Sequence, residues 1–118
     1  MKTKILLTMG LLLPTLAFAI PKLPSEIHQP SHATLLERKI DNDGDFRAQW
    51  HVRSGRIDRL LAAAENTAKK QGYRVLKREL SADEADVSLV YGTRRLNISI
   101  DLNSDNTMDY EVELELNH

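Results

Sequence analysis

The chain has no cysteine, only 5% aromatic residues, five glycines and four prolines among its 118 residues. Without cysteine there is no disulfide framework, no thiol nucleophile and no thiolate metal site, so an apolar core must hold the fold. The sequence also lacks any G-x-S-x-G, H-E-x-x-H or phosphate-loop pattern. The hydrolase, zinc-protease and nucleotide-binding chemistries that those patterns carry are left without support. Past residue 19 no apolar run approaches the roughly 20 residues that a membrane span requires. Positive charge is not in surplus either: 16 Lys and Arg stand against 17 Asp and Glu, for a formal net charge of -1. That balance gives no global electrostatic case for nucleic acid or an anionic membrane.

What is present starts with a targeting signature. Lys2 and Lys4 form a short basic start, residues 5–13 are an apolar run, Pro14 follows, and Ala17-Phe18-Ala19 puts small residues where a signal peptidase reads. Residues 1–19 are therefore expected to be a cleavable secretory signal, and the protein to be periplasmic or secreted with no stable membrane insertion after cleavage. No cysteine follows the cleavage point, which excludes a lipid-anchored form. Cleavage removes Lys2 and Lys4 but no acid, shifting the net charge from -1 to -3. About a hundred residues remain, enough for one domain with a modest core.

Residues 20–33 carry Pro21, Pro24 and Pro30 among polar neighbours and read as an extended linker. Residues 34–118 read as a single small domain. Its central stretch, residues 54–72, predicts an amphipathic helix: Ile57, Leu60, Leu61, Ala64 and Ala68 recur at three- and four-residue spacing, with Arg56, Arg59, Glu65, Lys69 and Lys70 elsewhere. Ser54 is placed to cap the start, Asp58 and the Lys69–Lys70 pair complement the helix dipole, and Gly72 offers a left-handed stop.

On either side the hydrophobic period changes to two. Residues 34–40 suit either a strand or a short helix, and the turn-rich 41–45 stretch follows. Phe46, Ala48, Trp50 and Val52 then alternate with Arg47, Gln49, His51 and Arg53. After the helix, residues 73–80 read as a strand with Tyr73 and Val75 on one face and Leu76 and Leu80 on the other, and residues 81–86 as a polar connection. Val87, Leu89 and Tyr91, then Gly92-Thr93, then Leu96, Ile98, Ile100 and Leu102 spell a hairpin. Met108, Tyr110, Val112, Leu114 and Leu116 make a final long strand. The expected fold is α+β, a two-layer sandwich with one central amphipathic helix packed on an antiparallel sheet, in the order ββαββββ.

On that last strand, Asp109, Glu111, Glu113 and Glu115 share the face opposite the apolar residues. Such a stripe can dock a basic partner, or it can be a solvated face or a charged edge that discourages strand addition. Arg74, Lys77, Arg78, Arg94 and Arg95 are candidates to neutralise it across strands. Asp41, Asp43 and Asp45 alternate as calcium ligands do, but Phe46 and Val52 occupy positions where an EF-hand loop needs Gly and Glu, so a turn is expected and no metal. His28 and His32 are separated by Pro30, which prevents a shared helical face. His51, Asp101 and Tyr110 are scattered residues from which a catalytic or ligand site could be assembled.

The run of helix, Gly72 and strands ending in Ile100-Asp101-Leu102, over residues 57–106, is similar to PepSY-type exported domains. The resemblance implies protease inhibition or regulation. It departs from that pattern in lacking a Gly after Asp101 and in continuing with residues 108–116. The functional expectation is a small exported, non-catalytic protein-binding module of inhibitor, immunity or adaptor type, needing no cofactor and recognising an envelope protein by its sheet face or edge. The alternative is a periplasmic small-ligand carrier or a PepSY-like regulatory domain. A homodimer through an edge strand, the final strand in particular, is a further possibility.

Overall fold

The computed structural model describes residues 21–117. The expected signal and its cleavage point lie outside the described residues. Six strands and one helix follow in the order β1 (Ala33–Ile40), β2 (Phe46–Val52), α1 (Ile57–Lys70), β3 (Arg74–Leu80), β4 (Glu84–Tyr91), β5 (Arg94–Leu102) and β6 (Met108–Glu115). This is the α+β sandwich, with the helix packed on a fully antiparallel sheet. Residues 34–40 belong to a strand. The sheet order is β1-β2-β6-β5-β4-β3, so the last strand of the chain lies in the middle and β1 and β3 are the edges. The expectation that the final strand is an edge is corrected: β6 pairs with β2 on one side and β5 on the other.

The period-two pattern explains the strands. Phe46, Ala48, Trp50 and Val52 point inward from β2, and Met108, Tyr110, Val112 and Leu114 from β6, each buried and alternating with residues that reach solvent. Ala85, Val87 and Leu89 on β4 and Leu96, Ile98 and Ile100 on β5 complete the inner face. Fully burying a Val, Leu or Ile side chain contributes about 1.5–3 kcal/mol, so these rows dominate the favourable side of folding. Trp50 and Tyr110 sit opposite each other in register and stack with ring centroids 5.1 Å apart.

Two edge bulges alter the simple reading. In β3 the register slips between Val75 and Lys77, so that Val75 pairs with Leu89, Arg78 with Val87 and Leu80 with Ala85. Val75, Arg78 and Leu80 therefore share the helix-facing side, whereas strict alternation had put Val75 and Leu80 on opposite faces. A matching slip occurs in β1 between Leu35 and Glu37. The 81–86 stretch also contributes more than a connection: Glu84, Ala85 and Asp86 already belong to β4.

The helix begins at Ile57, later than its composition suggested. Arg56, extended at φ -128° and ψ 143°, occupies the N-cap position without a side-chain cap bond. Gly55 is the reason: its φ of +132° turns the chain between Ser54 and the helix. Asp58 takes over part of the capping task, accepting the Arg59 N–H at 3.0 Å and the Arg56 guanidinium at 2.8 and 3.1 Å. At the other end Gly72, at φ +99°, donates to the Lys69 carbonyl while Tyr73 N–H reaches back to Ala68. This paired closure satisfies carbonyls that the last turn would otherwise leave open. A Cβ at residue 72 would stand 3.1 Å from the Tyr91 ring, which adds a packing reason for glycine there.

Leu60, Leu61, Ala64 and Ala68 bury the expected stripe against β3, β4 and β5. Glu65 is buried with them, contrary to its expected place outside the stripe. Its carboxylate receives two bonds from Arg78 of β3, at 2.8 and 2.6 Å, and lies 3.7 Å from Lys69. Burial is tolerated because the fork of the guanidinium supplies both partners.

The proline-containing segment expected to be an extended, poorly packed linker is part of the packed structure. Ile27 is 4% exposed and joins the core, with Leu23 partly buried against it. Glu26 is buried too, accepting bonds from the Tyr73 hydroxyl at 2.7 Å and from Arg94 at 2.8 Å. Tyr110 donates its hydroxyl to the His28 carbonyl at 2.9 Å. Proline stiffens this stretch but does not keep it in solvent, because Ile27 finds an apolar site and Glu26 finds two donors.

The Arg78 fork, the first cause, with charge from Arg78 and Lys69, holds the Glu65 carboxyl below its ordinary 4.5, despite the opposing effect of burial. The folded chain thus binds this proton less readily than the unfolded one. The stabilisation is complete above 4.5 and is lost as pH falls below that value. Glu65→Gln is expected to cost about 1–3 kcal/mol at neutral pH, with the difference from the unsubstituted chain shrinking in acid. Urea melts at a series of pH values read both quantities.

Candidate functional site

The helix and the N-terminal segment occupy the inner face of the sheet; the outer face, among the described residues, carries no second layer. Strand register sorts its side chains into rows that cross the strands. One row runs Lys77, Ser88, Asn97, Glu113, Arg47 and Lys39. The next runs Glu79, Asp86, Ser99, Glu111, Gln49 and Glu37. A third runs Glu84, Asp101, Asp109 and His51. Apart from Val90, which lies in register between Arg74 and Arg95, these rows are polar and sorted by charge, with arginine and lysine toward one end and carboxylates toward the other.

A shallow depression of about 410 Å³ lies in the middle of this face. Ser88, Asn97 and Ser99 line its floor, with Arg47, Lys77, Asp86 and Glu111 around them. Ser88 donates to the Asn97 side-chain oxygen at 2.8 Å. Hydroxyls and an amide flanked by both signs of charge suit hydrogen-bonded recognition of a polar surface.

The acidic stripe of β6 is where the sequence put it, and its environment differs along its length. Glu113 accepts from Arg47 at 2.9 Å, and Asp109 meets His51 Nδ1 at 3.2 Å. Glu111 lies between Gln49 and Ser99 in register, and Glu115 is opposite Arg95. Neutralisation therefore comes partly from Arg47, on the neighbouring β2, in addition to the five candidate cations. Of those five, Arg78 serves Glu65 on the inner side and Arg94 serves Glu26.

The more concentrated feature crosses strands. Glu84, Asp101 and Asp109 are direct register neighbours, with Asp86 and Asp83 close enough to act on them. Mutual repulsion, first from Asp86 and then from Asp101, raises the Glu84 carboxyl above its ordinary range. Partial desolvation at this exposed position, followed by the charges of Asp86, Asp109 and Asp83, raises Asp101. The row itself contains no Lys or Arg. Like charges placed opposite one another in a sheet are destabilising. Glu84 and Asp86 were passed over in the sequence because they sit in what read as a connection, and no linear spacing relates them to Asp109.

Of the scattered trio, His51 and Asp101 do come together, flanking Asp109 from either side on the outer face. Tyr110 is on the opposite face, buried under the His28 carbonyl, and cannot join them. In the 41–45 turn two carboxylates serve the backbone, Asp45 accepting the Leu116 N–H at 3.1 Å and Asp43 the Asp45 N–H at 3.4 Å, while Asp41 lies 3.6 Å from the Arg47 guanidinium.

On the inner side a second concavity opens between α1 and the β3 edge. It measures about 580 Å³ and is lined by Ile57, Leu61, Leu80 and Leu102, with the Glu65–Arg78 pair in its wall. Leu60, Leu61, Ala64 and Ala68 are buried beneath the helix, and this groove lies at its margin.

Because Asp101 binds its proton more readily in the folded chain, its charge costs stability, a penalty that sets in as pH rises above 3.8. Asp101→Asn is expected to stabilise the fold at neutral pH by about 0.2–1 kcal/mol, the scale of one cross-strand charge pair. The gain should fade toward acid and with added salt, and thermal melts over a pH and salt matrix measure it. Compared with protein-family models and with curated proteins, the chain finds no match.

Proposed function

We propose that the protein is a small exported, non-catalytic binding module of inhibitor, immunity or adaptor type, which captures a protein partner on the outer face of its sheet. The observation that carries this reading is the Glu84–Asp101–Asp109 row, in which like charges face each other across three strands with no Lys or Arg among them and only the His51 imidazole against Asp109 at one end. Such a row costs stability in the free protein, and a lysine or arginine brought by a partner relieves that cost. The neighbouring depression, floored by Ser88, Asn97 and Ser99, offers uncharged hydrogen-bonding groups beside it. The partner surface is thus basic at the acid end and polar over the centre. The resemblance to PepSY-type domains belongs to the same class of reading, since regulating a protease is one form of partner capture.

The test compares the unsubstituted protein with the Glu84→Gln/Asp101→Asn variant in affinity capture from the native cell envelope. The expected result is a stoichiometric partner held by the unsubstituted chain at low salt and at least about tenfold more weakly by the variant, which stays folded. A partner held equally by both would remove the acid row from the account.

A second reading, a small-ligand carrier, is favoured by the groove between α1 and β3. Apolar Ile57, Leu61, Leu80 and Leu102 beside a Glu–Arg pair suit a small amphipathic molecule. Titration with anilinonaphthalene sulfonate should then show saturable, single-site fluorescence that Leu80→Glu abolishes. Non-saturating fluorescence sinks this reading.

A further inference from the structure

The two edge strands carry the same five-residue pattern. β1 reads Leu36-Glu37-Arg38-Lys39-Ile40 and β3 reads Leu76-Lys77-Arg78-Glu79-Leu80. Each is apolar, charged, Arg, oppositely charged, apolar, and so is close to palindromic. Antiparallel pairing of such a strand with a second copy of itself, centred on the Arg, sets apolar against apolar and Lys against Glu. Pairing the two different edges with each other, antiparallel as in the rest of the sheet and with the two Arg residues opposite, does the reverse. It sets Glu37 against Glu79 and Lys39 against Lys77. The charges thus oppose open head-to-tail growth in that register and favour a closed two-fold pair.

The central arginines decide which edge. At a two-fold axis the two copies of this residue meet, and their charges must be neutralised. Arg78 brings its own counter-charge, the bidentate Glu65 carboxylate at 2.8 and 2.6 Å. Arg38 donates to the Pro21 carbonyl at 3.3 Å, and its Nε, buried, has no hydrogen-bond partner among the described residues. Self-pairing of β1 would therefore oppose two cations that no carboxylate among the described residues is seen to neutralise, while self-pairing of β3 would not. The apolar members of β3 are available, Leu76 being 48% and Leu80 60% exposed, but Leu36 and Ile40 of β1 are equally so, and the arginines alone make the distinction. Lys77 and Glu79 lie 3.6 Å apart along one strand, both largely in solvent, and can exchange that contact for one across the axis.

We propose that the protein forms a two-fold dimer in which β3 pairs antiparallel with β3 of a second copy about Arg78, joining the two sheets into one. Leu76 then covers the partner's Leu80, and Lys77 pairs with the partner's Glu79. This edge adjoins the acid row, since Glu79 and Leu80 share a small cleft with Glu84 and Lys77 and Glu79 line the central depression, but the strand pairing itself does not depend on the binding reading above.

Sedimentation of the chain, as the producing cell processes it, over a concentration series tests the proposal. A reversible monomer–dimer equilibrium is expected. Lys77→Glu and Glu79→Lys should each weaken it about tenfold or more, because both symmetry-related pairs turn repulsive. The double exchange, Lys77→Glu with Glu79→Lys, should restore it, a rescue that general damage to the strand would not produce. Glu37→Lys should leave the dimer unchanged. Thermal melts confirm that each exposed-site variant is folded. A monomer at every concentration, a dimer indifferent to the single reversals, or a dimer weakened by Glu37→Lys would overturn the proposal.

Discussion

The insertion of β6 between β2 and β5 is the constraint on which the rest depends. Without it the sheet would fall into two parts, a β1–β2 hairpin and a β3–β4–β5 meander joined through α1. Met108, Tyr110, Val112 and Leu114 then bridge them, meeting Val52, Trp50, Ala48 and Phe46 on one side and Leu102, Ile100, Ile98 and Leu96 on the other. The Trp50–Tyr110 stack sits at this seam. Pairing residues so far apart in the chain costs loop-closure entropy that only the completed inner face repays, so the sheet is expected to form cooperatively with its last strand.

The same insertion sets the electrostatics of the outer face. A strand with four acids on one side is innocuous at an edge, where water surrounds it. In the middle of a sheet its neighbours decide what it becomes. Arg47 and His51 from β2 temper Glu113 and Asp109, while Asp101 from β5 and Glu84 from β4 add to the charge beside Asp109. One strand thus has a neutralised end and a repulsive end. The protein tolerates that repulsion because the inner face is closely packed.

Two buried carboxylates show how polar groups locate the parts relative to one another. Glu65 on the helix is clamped by Arg78 on the edge strand, fixing the helix against β3. Glu26 ahead of β1 is held by Tyr73 and Arg94, anchoring the N-terminal segment at the far end of the helix. Burial and then the Glu26 bond push the Tyr73 hydroxyl up to about 12, so it stays a donor at any ordinary pH. Each contact ties an exposed-looking residue to a partner more than ten positions away.

Fold class, element order and most of the core were legible in the sequence, because a period of two or of 3.6 is a local property that each segment displays by itself. Phe46, Trp50, Leu61, Ile98 and Val112 announced their burial in this way. Where regularity failed, so did the reading: Gly55 moved the helix start past Ser54, the bulge at Leu76 brought Val75 and Leu80 to one face, and Ile27 packed despite its prolines. Strand order, the central place of β6 and the acid row of Glu84, Asp101 and Asp109 were decided only by the tertiary structure. Which strands become neighbours depends on how all the inner faces are buried together, and no single segment contains that information.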